Sequence, residues 1–260
     1  MTGKRIYSPL ANCKKLANQQ MMRKRPYVIG ICGGPSSGKS TVAKIIKEQL
    51  PQAIILNLIN FYKPIRGNMR RSRANSMVDD QRDEKEIKEE IREVYRRIDF
   101  DSPDAIDWDL LNKGVQSLKN YKPFNKPIYN QDEMIRLAET DHIKPSPVII
   151  IEGHLIFSNE ELIKKMDLKV FLDTDDDVRL SRSVLKNSRR HPGDMQFLKD
   201  FLQKYEQSVK PNFEKYIEPT KKYADIILPN YGFTTEDALD IYKMNIPAID
   251  LIINRVLSEQ

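Results

Sequence analysis

Gly33-Gly34-Pro35-Ser36-Ser37-Gly38-Lys39-Ser40 is the stretch on which the reading of this sequence turns. It is a complete G-x-x-x-x-G-K-[ST] motif. The apolar run over residues 27–32 precedes it, and a helical pattern over 39–50 begins inside it. Glycines in such a turn let successive backbone N–H groups curl around an anionic phosphate, and the helix N-terminus adds the positive end of its dipole. Gly33, Gly34, Pro35, Ser36, Ser37, Gly38 and Thr41 are therefore expected to cradle a nucleotide. Lys39 is expected at its terminal phosphates and the Ser40 hydroxyl on Mg²⁺.

Outward from this loop the chain alternates strand and helix. Short runs rich in Val, Ile and Leu at 53–58, 148–151, 168–172 and 224–228 read as strands buried on both faces, the signature of a parallel sheet. Helical periodicity occupies 107–119, 176–186, 195–208 and 236–256, with Pro247 expected to kink or split the last of these. The class is α/β, with helices on both sides of the sheet.

A second chemical element stands in Pro147-Val-Ile-Ile-Ile-Glu152-Gly, where an apolar strand ends in a carboxylate. Open α/β sheets bind ligands at the carboxyl ends of their strands, so Glu152 is a candidate to support Mg²⁺. The guanine-reading N-K-x-D is missing, which favours ATP as the nucleotide.

The 260 residues carry 43 Lys+Arg against 37 Asp+Glu, a net charge of +6. Residues 1–25 hold seven of the basic residues and no acidic one; removing 7 from 43 leaves 36 against 37. The surplus therefore lies in an N-terminal arm, read as disordered, with organellar targeting as its outside use. The remainder, 26–260, reads as one domain of net charge −1, which argues against a nucleic-acid partner. No run of about 18 apolar residues exists, so no membrane partner is expected. Two cysteines and three histidines supply neither a disulfide framework nor a metal cage, and the cytoplasm is the expected location. Residues 66–98 interrupt the strand–helix alternation with a charged insertion ending in an amphipathic helix of thin apolar stripe.

With these residues in view, the sequence resembles the uridine–cytidine kinase family of P-loop small-molecule kinases. The resemblance rests on seven segments in order: 33–40, Asn60-Phe-Tyr62, Phe100-Asp-Ser-Pro-Asp-Ala-Ile-Asp107, Ile151-Glu-Gly153, 173–182, Val209-Lys-Pro-Asn-Phe213 and Glu218-Pro-Thr-Lys-Lys-Tyr-Ala-Asp225. It implies a three-layer α/β/α sandwich around a five-stranded parallel sheet, MgATP as donor, a nucleoside 5′-hydroxyl as acceptor, and a homotetramer. By the same resemblance Asp101 would bind ribose hydroxyls, Tyr62 and Tyr129 would line the nucleoside pocket, and Arg182 and Lys186 would sit on a lid over the phosphates. That lid and the helix after it would span 176–210, and a C-terminal helix 235–258. Arg179 reads as a structural partner of Asp173 or Asp175.

The resemblance breaks at the acceptor side. Ile59 stands where the family has the aspartate that takes the hydroxyl proton, and Met134 where it has a base-reading histidine. Ser188-Arg-Arg-His-Pro-Gly193 replaces the lid's usual basic segment. Two readings follow: a nucleoside kinase of the pyrimidine-salvage type, or a catalytically degenerate homologue that binds nucleotide.

Overall fold

Strands buried on both faces set the architecture. The computed structural model describes residues 25–64, 84–230 and 238–259. Strands β1 (Tyr27–Gly33), β2 (Ile54–Asn57), β5 (Val148–Glu152), β6 (Leu168–Asp173) and β7 (Ile226–Pro229) form one sheet in the order β2-β5-β1-β6-β7. Every pairing in it is parallel. Successive residues of each strand feed opposite faces, as the two-residue period requires. Val28, Cys32, Ile149 and Ile151 enter one core, while Ile29, Ile31, Val148 and Ile150 enter the other.

Helices cover both cores. Helix α1 (Lys39–Gln49) buries Val42, Ala43, Ile45 and Ile46 beside Ile249, Ile252 and Val256 of α7 (Ala238–Glu259). On the other face α3 (Trp108–Lys119) packs Leu111, Val115 and Leu118. Here also lies an antiparallel hairpin, β3 (Phe124–Asn130) and β4 (Ile135–Ile143), which hydrophobic patterning did not reveal. The expected three-layer sandwich around five parallel strands is what forms. Of the two effects expected of Pro247, the split does not occur: α7 runs as one helix through it.

Beyond the short turn α4 (Glu160–Ile163) and β6, the chain forms α5 (Asp176–Arg190) and α6 (Met195–Lys204). Two π-helical segments, Tyr205–Val209 and Phe213–Ile217, then carry it on. The helix expected over 195–208 thus changes its hydrogen-bonding at Tyr205. Of the basic arm, only Arg25 is described, paired with Asp167 at 2.6 Å; the rest of that expectation lies outside the described residues.

Residues 66–83 of the insertion also lie outside them. The insertion's helix is described as α2 (Glu84–Arg97), and it is docked on α6. Arg96 pairs with Asp200 at 2.7 Å, Arg92 pairs with Asp194, and the Tyr95 and Phe197 rings stack at 5.8 Å. No described helix is long and apolar enough to cross a membrane.

Candidate active site

The loop between β1 and α1 opens at the carboxyl end of the sheet. Gly38 holds φ +97°, a conformation that side chains strain to adopt, and a Cβ there would come 2.5 Å from Asn230 Nδ2. That amide donates to the Ser37 carbonyl at 2.7 Å, so the loop's backbone is pinned from β7's end of the sheet. Lys39 Nζ folds back onto the Gly34 carbonyl at 2.7 Å. Burial lowers the Lys39 ammonium to about 8, against the pull of nearby Glu152. A buried ammonium resting on one carbonyl is poised for an anion.

Glu152 ends β5 in register with Asn57 of β2 and Ile31 of β1. Its Oε2 accepts from Ser40 Oγ at 2.9 Å and its Oε1 from Asn57 Nδ2 at 2.7 Å. Burial raises its pKa, opposed by Lys39 and Ser40. Among the described residues no cluster of three or more His, Cys, Asp or Glu could hold a metal alone. A hydroxyl beside a carboxylate nevertheless fits Mg²⁺, which is commonly held by one or two protein oxygens together with substrate phosphates and water. The donor set therefore suits a metal that arrives with a nucleotide.

These groups face a cleft of ≈ 440 Å³. Of the residues expected around phosphate, Pro35, Ser36, Gly38, Lys39, Ser40, Thr41, Arg182 and Lys186 line it. Gly33, Gly34 and Ser37 are not among its lining residues. Ser37 is fully buried, and Gly34 serves a packing need: a Cβ there would lie 2.5 Å from Arg179 Nη1.

Arg179, itself 2 % exposed, bonds the Thr174 carbonyl at 3.1 Å and pairs with Asp176. Its guanidinium lies 3.8 Å from the Phe213 ring centroid. Asp173 instead pairs with Lys221 at 2.6 Å, so neither partner expected for Arg179 is the one it takes. Three residues further along α5, Arg182 reaches the Ser36 carbonyl at 3.4 Å, with Lys186 one turn beyond. Burial lowers the pKa of both cations.

The part of the cleft that carries Asp101 is built by the loop between α2 and α3. Asp99 accepts from Ser208 Oγ and Asn212 Nδ2, both at 2.8 Å, and from the Asp101 backbone N–H at 3.1 Å. Trp108 Nε1 donates to the Pro103 carbonyl at 2.8 Å and closes the turn. Asp101 thereby projects into the cleft, where burial and then the Asp99 charge raise its carboxyl to about 6, against Lys204 and Lys39. Tyr62 and Ile59 form the wall opposite the phosphate loop. Tyr129 is not among the lining residues; its ring stands against Tyr62, 5.3 Å between centroids. Met134 packs on the core at φ +54° rather than facing the cleft.

Three site residues escaped sequence reasoning: Asn57, Asn230 and His154. His154 lines the cleft with its Nε2 3.6 Å from Asp101 Oδ1. Burial, then Lys39, depresses its pKa to about 3, so the ring is neutral. A lone histidine after a strand carries no motif, and only the fold shows where it stands.

Comparison with known proteins gives the family. Residues 28–237 match the model of the phosphoribulokinase / uridine kinase family. The chain belongs to that family. Among its curated members, uridine-cytidine kinase B of Dictyostelium discoideum is 35% identical over 244 residues, covering 93% of this chain and 86% of that protein. Uridine kinase of Ligilactobacillus salivarius is 35% identical over 232 residues, covering 89% and 93%. The crystal structure of a protein assigned to fructose transport system kinases in Silicibacter sp. TM1040 superposes with a TM-score of 0.56. It covers 86% of this chain and 100% of that one at 17% identity, a likeness of fold.

Proposed function

We propose that the protein is an ATP:nucleoside phosphotransferase that converts a ribonucleoside to its 5′-monophosphate. The observation that carries this reading is one continuous cleft with a phosphate loop at one end and Asp101 at the other. The named activities of the curated relatives support it. Bound MgATP would supply the transferable phosphoryl group and a divalent charge. The loop backbone and Lys39 would hold its phosphates, with Ser40 and Glu152 on the metal. Arg182 and Lys186 would face the charge that builds on the equatorial oxygens. Asp101 would fix the acceptor through its sugar hydroxyls, so that the 5′-hydroxyl stands in line. Phosphoryl transfer depends mainly on such positioning and charge neutralisation, which leaves turnover without a carboxylate at residue 59.

One observation favours a second reading. Ile59 lines the cleft and can neither accept a proton nor orient a metal-bound water. A positioned general base contributes about 10²–10⁴-fold, so its loss slows the reaction by that order. A nucleotide-binding protein without turnover is the limiting case. Incubation with MgATP and the common ribonucleosides, followed by mass spectrometry for 5′-monophosphates, separates the two. We expect product; a full panel without product favours the binding protein.

The homotetramer implied by the resemblance and the cytoplasmic location expected from the cysteine content belong to the same proposal. Sedimentation of the purified chain tests the first.

A further inference from the structure

His154 has no place in the phosphate-binding motif, yet it occupies the acceptor end of the cleft at 8 % exposure. Its Nε2 is buried without a hydrogen-bond partner and lies 3.6 Å from Asp101 Oδ1, beyond hydrogen-bonding range. A buried polar atom left without a partner is costly. Two neighbouring hydroxyl groups, each able to donate and to accept, would give both side chains a partner.

The imidazole is held in place from the backbone. Cys32 Sγ donates to the His154 carbonyl at 3.3 Å, and the Gly153 N–H donates to Ile31 at 3.1 Å. Leu58 packs so closely on Gly153 that a Cβ there would lie 2.3 Å from it. Strand β1 and the turn that follows β2 therefore fix the backbone that carries this side chain. The charged groups that act on this pair are Lys39, Asp99 and Lys204, and the Ile59 side chain leaves part of the same wall apolar.

Resting on the nucleoside reading above, we propose that His154 and Asp101 form a two-point clamp for the vicinal diol of a ribonucleoside. His154 takes one of the two ring hydroxyls, and is thereby a substrate-binding residue that sets preference for ribose over its deoxy forms. The resemblance assigns sugar contacts to Asp101 alone; the orphaned Nε2 adds the second point.

Calorimetric titration of the full chain with the four common ribonucleosides finds the tightest binder, which is then compared with its 2′-deoxy and 3′-deoxy forms. His154→Leu should weaken the ribonucleoside about tenfold, the size of one lost buried hydrogen bond. One of the two deoxy forms, the one lacking the hydroxyl that His154 holds, should bind wild type and variant equally. His154→Gln keeps an acceptor and should recover part of the loss, and unchanged MgATP binding shows that both variants fold. Equal weakening of all three ligands, no weakening of any, or a wild type that binds no nucleoside would each overturn the clamp. A wild type that shows the diol pattern but forms no monophosphate would overturn the kinase reading and leave the clamp standing.

Discussion

Ser40 and Glu152 meet at the floor of the cleft, where the hydroxyl donates to Oε2 over 2.9 Å and joins the first turn of α1 to the last residue of β5. Asn57 holds the other carboxylate oxygen from the neighbouring strand at 2.7 Å. The phosphate loop and the two strands thus share one carboxylate, and the metal requirement should report on all three.

Asn57→Ala frees one oxygen of Glu152 and lets the carboxylate turn. Residues that orient metal ligands contribute about 10–100-fold to metal affinity or activity. A titration of turnover against Mg²⁺ should therefore show the half-maximal concentration rising about tenfold, with about 1 kcal/mol of stability lost with the cap that Asn57 Oδ1 gives the Ile59 N–H. An unchanged Mg²⁺ dependence would separate Glu152 from the metal.

Asp101 predicts opposite effects on stability and binding. Its folded-state pKa of about 6 lies above the ordinary 3.8, so the ionised carboxylate opposes folding. The cost appears as pH rises through about 4 and is complete above about 6. Asp101→Asn should accordingly stabilise the protein by about 1–3 kcal/mol at neutral pH, read from denaturant melts, and by nothing at pH 3.5. On the proposed function the ionised form is the one that accepts sugar hydroxyls, so the nucleoside KM should rise as pH falls below about 6. Asp101→Asn should lose that pH dependence together with most of the affinity.

Gly34→Ala should damage the fold before it touches the nucleotide. The new Cβ would lie 2.5 Å from Arg179 Nη1 and 2.7 Å from its Cζ, displacing a guanidinium stacked on Phe213. Loss of that cation–π contact and of the bond to the Thr174 carbonyl is worth about 1–3 kcal/mol. Arg179→Met, which keeps the stem and removes the head, should cost a similar amount. The two changes together should cost less than their sum, because they remove one arrangement.

The sheet was legible from the sequence because its strands are short runs rich in Val, Ile and Leu, although the edge strand β7 leaves Ile227 exposed where burial on both faces was expected. The loop at 33–40 and the Glu152 strand end were legible because phosphate chemistry needs those residue types at that spacing. The hairpin was not. Pro127 sits inside β3, and β4 reads Ile-Arg-Leu-Ala-Glu-Thr-Asp-His-Ile with most of its positions at least partly exposed, so neither strand shows an apolar run. Asn57 and His154 were illegible for a different reason. Each acts through a neighbour far away in sequence, Glu152 and Asp101 respectively, and only the parallel register and the loop before α3 bring them together.

The most direct test follows labelled γ-phosphate from ATP into nucleoside, in wild type and in Ile59→Asp side by side. Wild type should form 5′-monophosphate, and Ile59→Asp should raise kcat on the order of 10²-fold by restoring a proton acceptor at the cleft wall. Lys39→Ala should abolish transfer in either background. A wild type without product, beside an Ile59→Asp variant that turns over, would contradict the account: the protein would be a nucleotide-binding relative that lost its chemistry at residue 59.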